Sequence, residues 1–397
     1  MSWEFKKLGE VTELQGGSQP PKSTFKYEEA EGYLRLLQIR DFKSDDRAVF
    51  IPKSKKNRLC YENDILIGRY GASVGKICTG KKGAYNVALM KATPDKELLN
   101  TRLYLYYLKS KLFQDELASV SSRSAQNGFS KDDIKDFIVP IPPLPVQKQI
   151  VETLDKAFEK IDKAIVNIER NIENAEELFQ SKMEKLLFKE SDDRKNSTIG
   201  EVCELMTGGT PSKKKKEYFE KGDINWLVSG DIHKKEIQEC NGKITSLGLE
   251  KSNAKYLPVN SVMIALNGQG KTRGTVAMLR IKATCNQSLV SIYPKDLSKL
   301  TPEFIYVNLD SRYIEIRKLT GDSGNDRRGL NMPLLKKISL SIPKSIEEQK
   351  NIIESFYILK NNTDSIVENN SKKISLLNDL KKSILEKAFK EELTSAA

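Results

Sequence analysis

From residue 151 onward the apolar positions recur in steps of three and four: Val151, Leu154, Phe158, Ile161, Ile165, Ile168, Ile172, Ala175 and Phe179. A sustained 3.5-residue period is the seam of a coiled coil rather than the broader stripe of a globular surface helix. The segment before it, Val139-Pro140-Ile141-Pro142-Pro143-Leu144-Pro145, is extended, because its prolines oppose helix. A second stripe opens with Ser345-Ile346-Glu347-Glu348, which fits a capping box. It continues through Ile352, Phe356, Leu359, Thr363, Ile366, Asn370, Leu377 and Ile384. Polar Thr363 and Asn370 in such a seam fix register or partner number. Helices are therefore expected near 146–188 and 346–391, paired antiparallel. At about 1.5 Å per residue, some 40 residues extend roughly 60 Å. The alternative is two independent helices, each packed on its own domain.

The blocks preceding these stripes, each of about 145 residues, mix short β-type runs (64–68, 261–266, 275–281) with glycine-rich turns and one amphipathic helix apiece, at 97–120 and 302–319. The two blocks repeat one another. Leu8-Gly9-Glu10-Val11 returns as Ile199-Gly200-Glu201-Val202, and Ile39-Arg40-Asp41-Phe42 as Ser229-Gly230-Asp231-Ile232. Asn63-Asp64-Ile65-Leu66-Ile67 matches Asn260-Ser261-Val262-Met263-Ile264, and Asn86-Val87-Ala88-Leu89 matches Asn286-Gln287-Ser288-Leu289. Asn127-Gly128-Phe129-Ser130 pairs with Arg328-Gly329-Leu330-Asn331, Ile141-Pro142 with Ile342-Pro343, and Gln147-Lys148 with Gln349-Lys350. The order holds while the offset drifts, so framework segments persist and loops change length. The fold class expected is α/β (α+β): two similar domains, 1–145 and 197–344, with coiled-coil helices at 146–190 and 345–391.

Charge sharpens this division. The 397 residues carry a formal +12 with a pI near 9.2. Residues 1–145 hold 24 Lys/Arg against 18 Asp/Glu and residues 196–344 hold 24 against 15, whereas both helical segments are slightly acidic. Two basic blocks suggest a polyanion that meets both domains. The five cysteines, Cys60, Cys78, Cys203, Cys240 and Cys285, form no CxxC pair, which points to reduced thiols in a cytoplasmic protein without structural zinc. His233 is the only histidine, which argues against Ser–His–Asp chemistry. No stretch has the length of a membrane span or an apolar signal core.

Candidate chemistry lies in the loops. Ala265-Leu266-Asn267-Gly268-Gln269-Gly270-Lys271-Thr272 resembles a phosphate-binding loop, but there Gly-Lys-Thr must open a helix. Here a β-type run follows, and the matching loop of the first block, Gly68-Arg69-Tyr70-Gly71-Ala72-Ser73-Val74-Gly75-Lys76, lacks the pattern. Both loops read better as nucleic-acid contacts, since glycine admits backbone to a phosphate while Asn, Gln and Arg suit base edges. Arg69, Tyr70, Asn267 and Gln269 are the candidate base readers. Ser73, Lys76, Lys271, Arg273, Arg123, Arg327 and Arg328 are further candidate contacts, and Lys213, Lys214, Lys215 and Lys216 a phosphate-facing run. Solvated turns and a solvated basic run remain the bland readings. No catalytic set, methyltransferase loop or metal cluster is legible.

With these motifs in view, the whole chain resembles the specificity subunits of type I restriction–modification systems. The resemblance rests on the two domain openings, on Gly208-Gly209-Thr210-Pro211-Ser212, on the Ile-Pro exits into Gln147-Lys148-Gln149-Ile150 and Gln349-Lys350-Asn351-Ile352, and on Ser383-Ile384-Leu385-Glu386-Lys387-Ala388-Phe389. The first domain departs locally, with Gly16-Gly17-Ser18-Gln19-Pro20. The resemblance implies two target-recognition domains related by a pseudo-two-fold axis, each reading half of a split DNA target. It further implies helices that set the gap and dock two modification subunits, which hold S-adenosylmethionine and methylate adenine. Restriction subunits would add ATP- and magnesium-dependent translocation and cleavage. A standalone DNA-binding or scaffold protein, and more remotely a P-loop NTPase, are the other classes compatible with the residues.

Overall fold

The computed structural model describes residues 3–122, 127–268, 270–320 and 329–390. The chain divides into two compact units, Met1–Glu169 with Ser371–Ala397, and Arg170–Asn370. Each holds one mixed α/β domain together with part of both long helices.

In the first unit, Glu4–Lys7 and Ile138–Ile141 pair antiparallel and bring the domain's entry and exit together. The main sheet runs in the order Thr12–Gly16, Leu89–Pro94, Ile65–Gly68, Ile77–Cys78, all antiparallel. A second sheet holds Phe50–Pro52, Tyr33–Leu37, Gly83–Tyr85 and Leu59–Cys60, with its two central strands parallel. The second unit repeats the scheme. Arg194–Thr198 pairs with Ser339–Pro343, and the main sheet runs Cys203–Thr207, Leu289–Pro294, Val262–Ala265, Val276–Leu279. Register repeats as well: Thr12 faces Pro94 as Cys203 faces Pro294, and Ile65 faces Ala92 as Val262 faces Ile292. The match is incomplete among the described strands: Leu59–Cys60 has no counterpart beside Thr284–Cys285, where the second sheet of the second unit has three strands. Glu236–Ile237 adds parallel to Val276–Leu279 as a fifth member of the main sheet.

The matched sequence segments turn out to be joints. Gln147 is fully buried; its Nε2 donates to the carbonyls of Leu98 (2.9 Å) and Pro142 (2.8 Å), and its Oε1 accepts from the Asn100 amide (2.7 Å). Gln349 does the same with Lys299, Pro343 and Thr301. Each glutamine thus satisfies three backbone groups where a long helix leaves its domain, a requirement for burying them. Asp41 and Asp231 accept from the amides of Gln38 (2.7 Å) and Val228 (2.9 Å), which shapes the turn after the parallel strand. Glu10 and Glu201 likewise receive the amides of Lys7 and Thr198 at the domain openings.

The long helices span Leu144–Leu187 and Ile346–Ala388. The first begins with Pro145 in its opening turn, where a missing N–H costs no hydrogen bond. In the first unit its start packs antiparallel beside the end of the second: Ile150 and Leu154 share a core with Leu385, Ala388 and Phe389. Lys381 there pairs with Asp162 at 2.7 Å and lies 5.1 Å from the Phe158 ring. In the second unit the roles reverse, with Phe179, Met183 and Leu187 sharing a core with Ile352 and Phe356, and Lys360 lying 5.4 Å from the Phe179 ring. Each domain core therefore includes both helices, so pairing with each other and packing on the domains occur together.

Two expectations change in detail. Each amphipathic stretch is two helices, Thr101–Lys109 and Lys111–Ser121, then Pro302–Ser311 and Tyr313–Lys318. The first break falls at Ser110, extended at ψ 157°, whose hydroxyl caps the Tyr107 carbonyl at 2.6 Å. In the C-terminal helix Ile366 is 43 % exposed, and Val367 turns inward in its place. The inward positions Leu359, Thr363, Val367 and Asn370 are spaced four, four and three. This stutter displaces the strict heptad by one residue. The remaining seam positions, Leu154, Phe158, Ile161, Ile165, Ile168, Ile172, Phe356, Leu377 and Ile384, are buried or half-buried.

Candidate nucleic-acid interface

Four loops gather at one edge of each domain, and two of the backbone hydrogen bonds that lace them recur between the units. In the first unit the Arg69 amide donates to Ala88 (2.9 Å), the Phe129 amide to Arg69 (3.3 Å) and the Gly17 amide to Leu89 (3.0 Å). In the second, the Leu266 amide donates to Ser288 and the Leu330 amide to Leu266, both at 2.9 Å. Leu266 therefore stands where Arg69 does, and Asn267 where Tyr70 does. Close approach at these crossings selects glycine. A Cβ on Gly128 would fall 2.5 Å from the Tyr70 ring, and one on Gly329 1.8 Å from the Asn267 side-chain oxygen. The outer ends of the loops lean on the following helix, through Gln114 Nε2 to the Gly75 carbonyl (2.9 Å) and Arg317 to the Gly270 carbonyl (2.8 Å).

Within this frame the sequence candidates separate. Tyr70 and Asn267 sit exposed at matching tips. Arg69 is half-buried and bonded to the carbonyls of Phe129 (3.2 Å) and Val87 (3.4 Å), so its guanidinium ties three loops together. Leu266, buried at its equivalent, fills that place by packing. Ser73 is half-buried and Lys76 exposed. Arg273 is buried, which takes its guanidinium off the surface. Lys271 is exposed and lines a cleft of about 610 Å³ with Glu176, Phe179, Asp310 and Lys360. Burial pushes the Asp310 carboxyl above its ordinary range, opposed by the nearby charges of Lys360 and Lys235. Lys213, Lys214, Lys215 and Lys216 are all exposed just beyond the first loop, with Lys215 stacked 5.2 Å from the Tyr218 ring. Arg123, Gln269, Arg327 and Arg328 lie outside the described residues.

Gly270-Lys271-Thr272 stands in the turn between the antiparallel strands Val262–Ala265 and Val276–Leu279. A strand follows it, so no helix N-terminus faces a phosphate there. The five cysteines are buried and free; burial pushes the Cys60 thiol to about 11 and those of Cys203 and Cys285 to about 12. Among the described residues no His/Cys/Asp/Glu group could hold a metal ion, and no helix is long and apolar enough to cross a membrane.

Four loop positions, Gln19 and Gln287 exposed and Thr210 and Val87 half-buried, were not among the sequence candidates. Gln19 and Thr210 occupy matching places in the first loop, and Val87 and Gln287 matching places in the turn 86–88 or 286–288. Thr210 Oγ1 donates to Gln287 Oε1 at 2.7 Å. Their signal was present as mismatches inside otherwise matched segments.

A family model described as the type I restriction modification DNA specificity domain matches residues 1–174 and again 191–376. The chain is similar to the specificity subunit of the type I restriction enzyme EcoR124I/EcoR124II of Escherichia coli, 25 % identical over 279 residues, covering 69 % of this chain and 67 % of that one. It is also similar to the MjaVIII specificity subunit of Methanocaldococcus jannaschii, 26 % identical and covering 96 % and 91 %. Among solved structures, one from a study of complex assembly in a type I R-M system superposes with a TM-score of 0.74 at 15 % identity, covering 98 % of each chain. The HsdS subunit from Thermoanaerobacter tengcongensis gives 0.52 at 15 % identity, over 98 % and 97 %. With its duplicated α/β domains, its paired long helices and a family model matched once to each half, the chain belongs to the type I restriction–modification DNA specificity family, whose members supply DNA specificity rather than catalysis.

Proposed function

We propose that this subunit reads a bipartite DNA target, with residues 1–145 and 197–344 acting as the two target-recognition domains. Each domain takes one half-site through its four-loop surface, and an unread spacer separates the halves. The observation that carries this reading is the pair of loop surfaces, alike in backbone bonding and different in side chains. A common backbone suits one docking mode on a duplex, while the exposed Tyr70 and Asn267 at matching tips suit different bases. The helical segments 146–190 and 345–391 set the spacer and dock two modification subunits, which bring S-adenosylmethionine; restriction subunits bring ATP and magnesium. Exposed apolar residues along these helices, among them Val166, Leu178, Leu376 and Leu380, support a protein-docking role.

The test is methylation mapping and footprinting of the assembled complex on duplexes with varied spacers. Inserting one heptad in each helix should widen the preferred spacer and leave both half-sites unchanged. A continuous target, or a spacer indifferent to helix length, would overturn the reading.

A further inference from the structure

The turn 286–288 presents one exposed side chain, that of Gln287. The Asn286 side-chain oxygen accepts the Ser288 amide (3.0 Å), the Leu289 amide donates to the Asn286 carbonyl (3.4 Å), and the Ser288 carbonyl receives the Leu266 amide. Between them Gln287 is exposed. It is nevertheless held, because the Thr210 hydroxyl donates to its Oε1 at 2.7 Å. Fixing the amide oxygen fixes the nitrogen opposite, which keeps both N–H donors, while Oε1 retains a second lone pair. Thr210 is in turn set by its loop, which the Trp226 indole pins through the Gly209 carbonyl at 3.0 Å. An exposed glutamine ordinarily loses rotamer freedom on binding; one already tethered loses less.

The first unit builds the same turn around a different residue. Asn86 accepts the Ala88 amide (3.2 Å), and the Ala88 carbonyl receives the Arg69 amide. The residue there is the half-buried Val87, and Gln19 takes the place of Thr210 in the first loop, its Nε2 donating to the Pro20 carbonyl at 3.3 Å. Each unit thus shows one glutamine and one β-branched residue at these two places, in exchanged positions.

We propose that Gln287, positioned by Thr210, is a base-reading residue of the second domain, its amide pairing with the N6/N7 edge of an adenine in the major groove. Val87 at the equivalent place offers methyl groups suited to thymine, so this exchange is one source of the difference between the half-sites. The inference rests on the reading that the four-loop surface meets DNA.

The test uses the full chain assembled with its modification subunits, in selections from a randomised duplex library followed by affinity measurement on the selected sequence. Gln287→Ala should lower affinity roughly 5- to 150-fold, the scale of one bidentate base contact. It should relax preference at one base pair of one half-site and leave the salt dependence unchanged. Gln287→Val should move that preference toward thymine. Thr210→Val should act in the same direction as Gln287→Ala but less, and Thr210→Ser should restore the wild-type preference. If Gln287→Ala leaves every base preference unchanged, or weakens all sequences equally, the assignment fails. If neutralising Lys213, Lys214, Lys215 and Lys216 together also leaves binding unchanged, the loop surface itself is not the DNA face and both readings fall.

Discussion

At the scale of single residues, positions that recur in both halves of the chain serve the fold, while positions that differ either substitute for one another inside it, as Arg69 and Leu266 do, or reach the surface, as Tyr70 and Asn267 do. Gln147 and Gln349 are the clearest case of the first kind, each fully buried and each meeting three backbone groups. Gln147→Ala should therefore cost about 2–4 kcal/mol, since the buried carbonyls and the amide it serves are left unpaired. Urea unfolding of the full chain would measure this, and a loss under about 1 kcal/mol would show that water replaces the amide. Asp310 makes the opposite prediction. Burial raises its pKa, so its charged form weakens the fold and stability declines as pH rises from its unfolded value through its folded one. Asp310→Asn should then raise the thermal midpoint at pH 7, with the gain fading toward pH 3. An equal shift at both pH values would mean that charge is not the cause. Neither role could be read from residue type, because glutamine and aspartate are ordinarily surface residues; recurrence marked the glutamines, and nothing in the sequence marked Asp310.

At the scale of elements, apolar period was an accurate guide to the long helices and a poor one to local breaks. The central seam follows steps of three and four without interruption, and each position from Val151 to Phe179 in that series is buried or half-buried. The C-terminal seam carries a stutter, so that apolar Ile366 and Val367 compete for one inward place and packing chooses Val367. Val367→Asp should accordingly cost about 1–3 kcal/mol, the range for a charge forced into a packed seam, while Ile366→Asp stays within about 0.5 kcal/mol. Chemical denaturation of the two variants would distinguish them, and equal losses would put both residues in the interface. The break at Ser110 was illegible for a related reason. Periodicity runs through it, and only packing of Thr101–Lys109 and Lys111–Ser121 into one core sets the angle between them.

At the scale of the whole molecule, two basic domains alternate with near-neutral helices, and the exposed run from Lys213 to Lys216 belongs to the second domain. If that run neutralises phosphates, replacing all four lysines by glutamine should weaken binding to every sequence alike. It should also reduce the slope of log affinity against log salt by about 0.9 for each phosphate that is no longer neutralised. A change confined to one base position would instead make these residues readers. The sequence by itself determined the duplication, the paired helices, the partition of charge and the family, because each is carried by order, period or composition along the chain. Only the tertiary structure decided which loop residues reach the surface: Arg69 is drawn into carbonyl contacts, Arg273 is buried, and Gln287 is held outward by a threonine 77 residues earlier. The reason is physical. Burial of an apolar stripe leaves a periodic trace in sequence, whereas the direction of a polar side chain depends on partners that the fold brings from far along the chain.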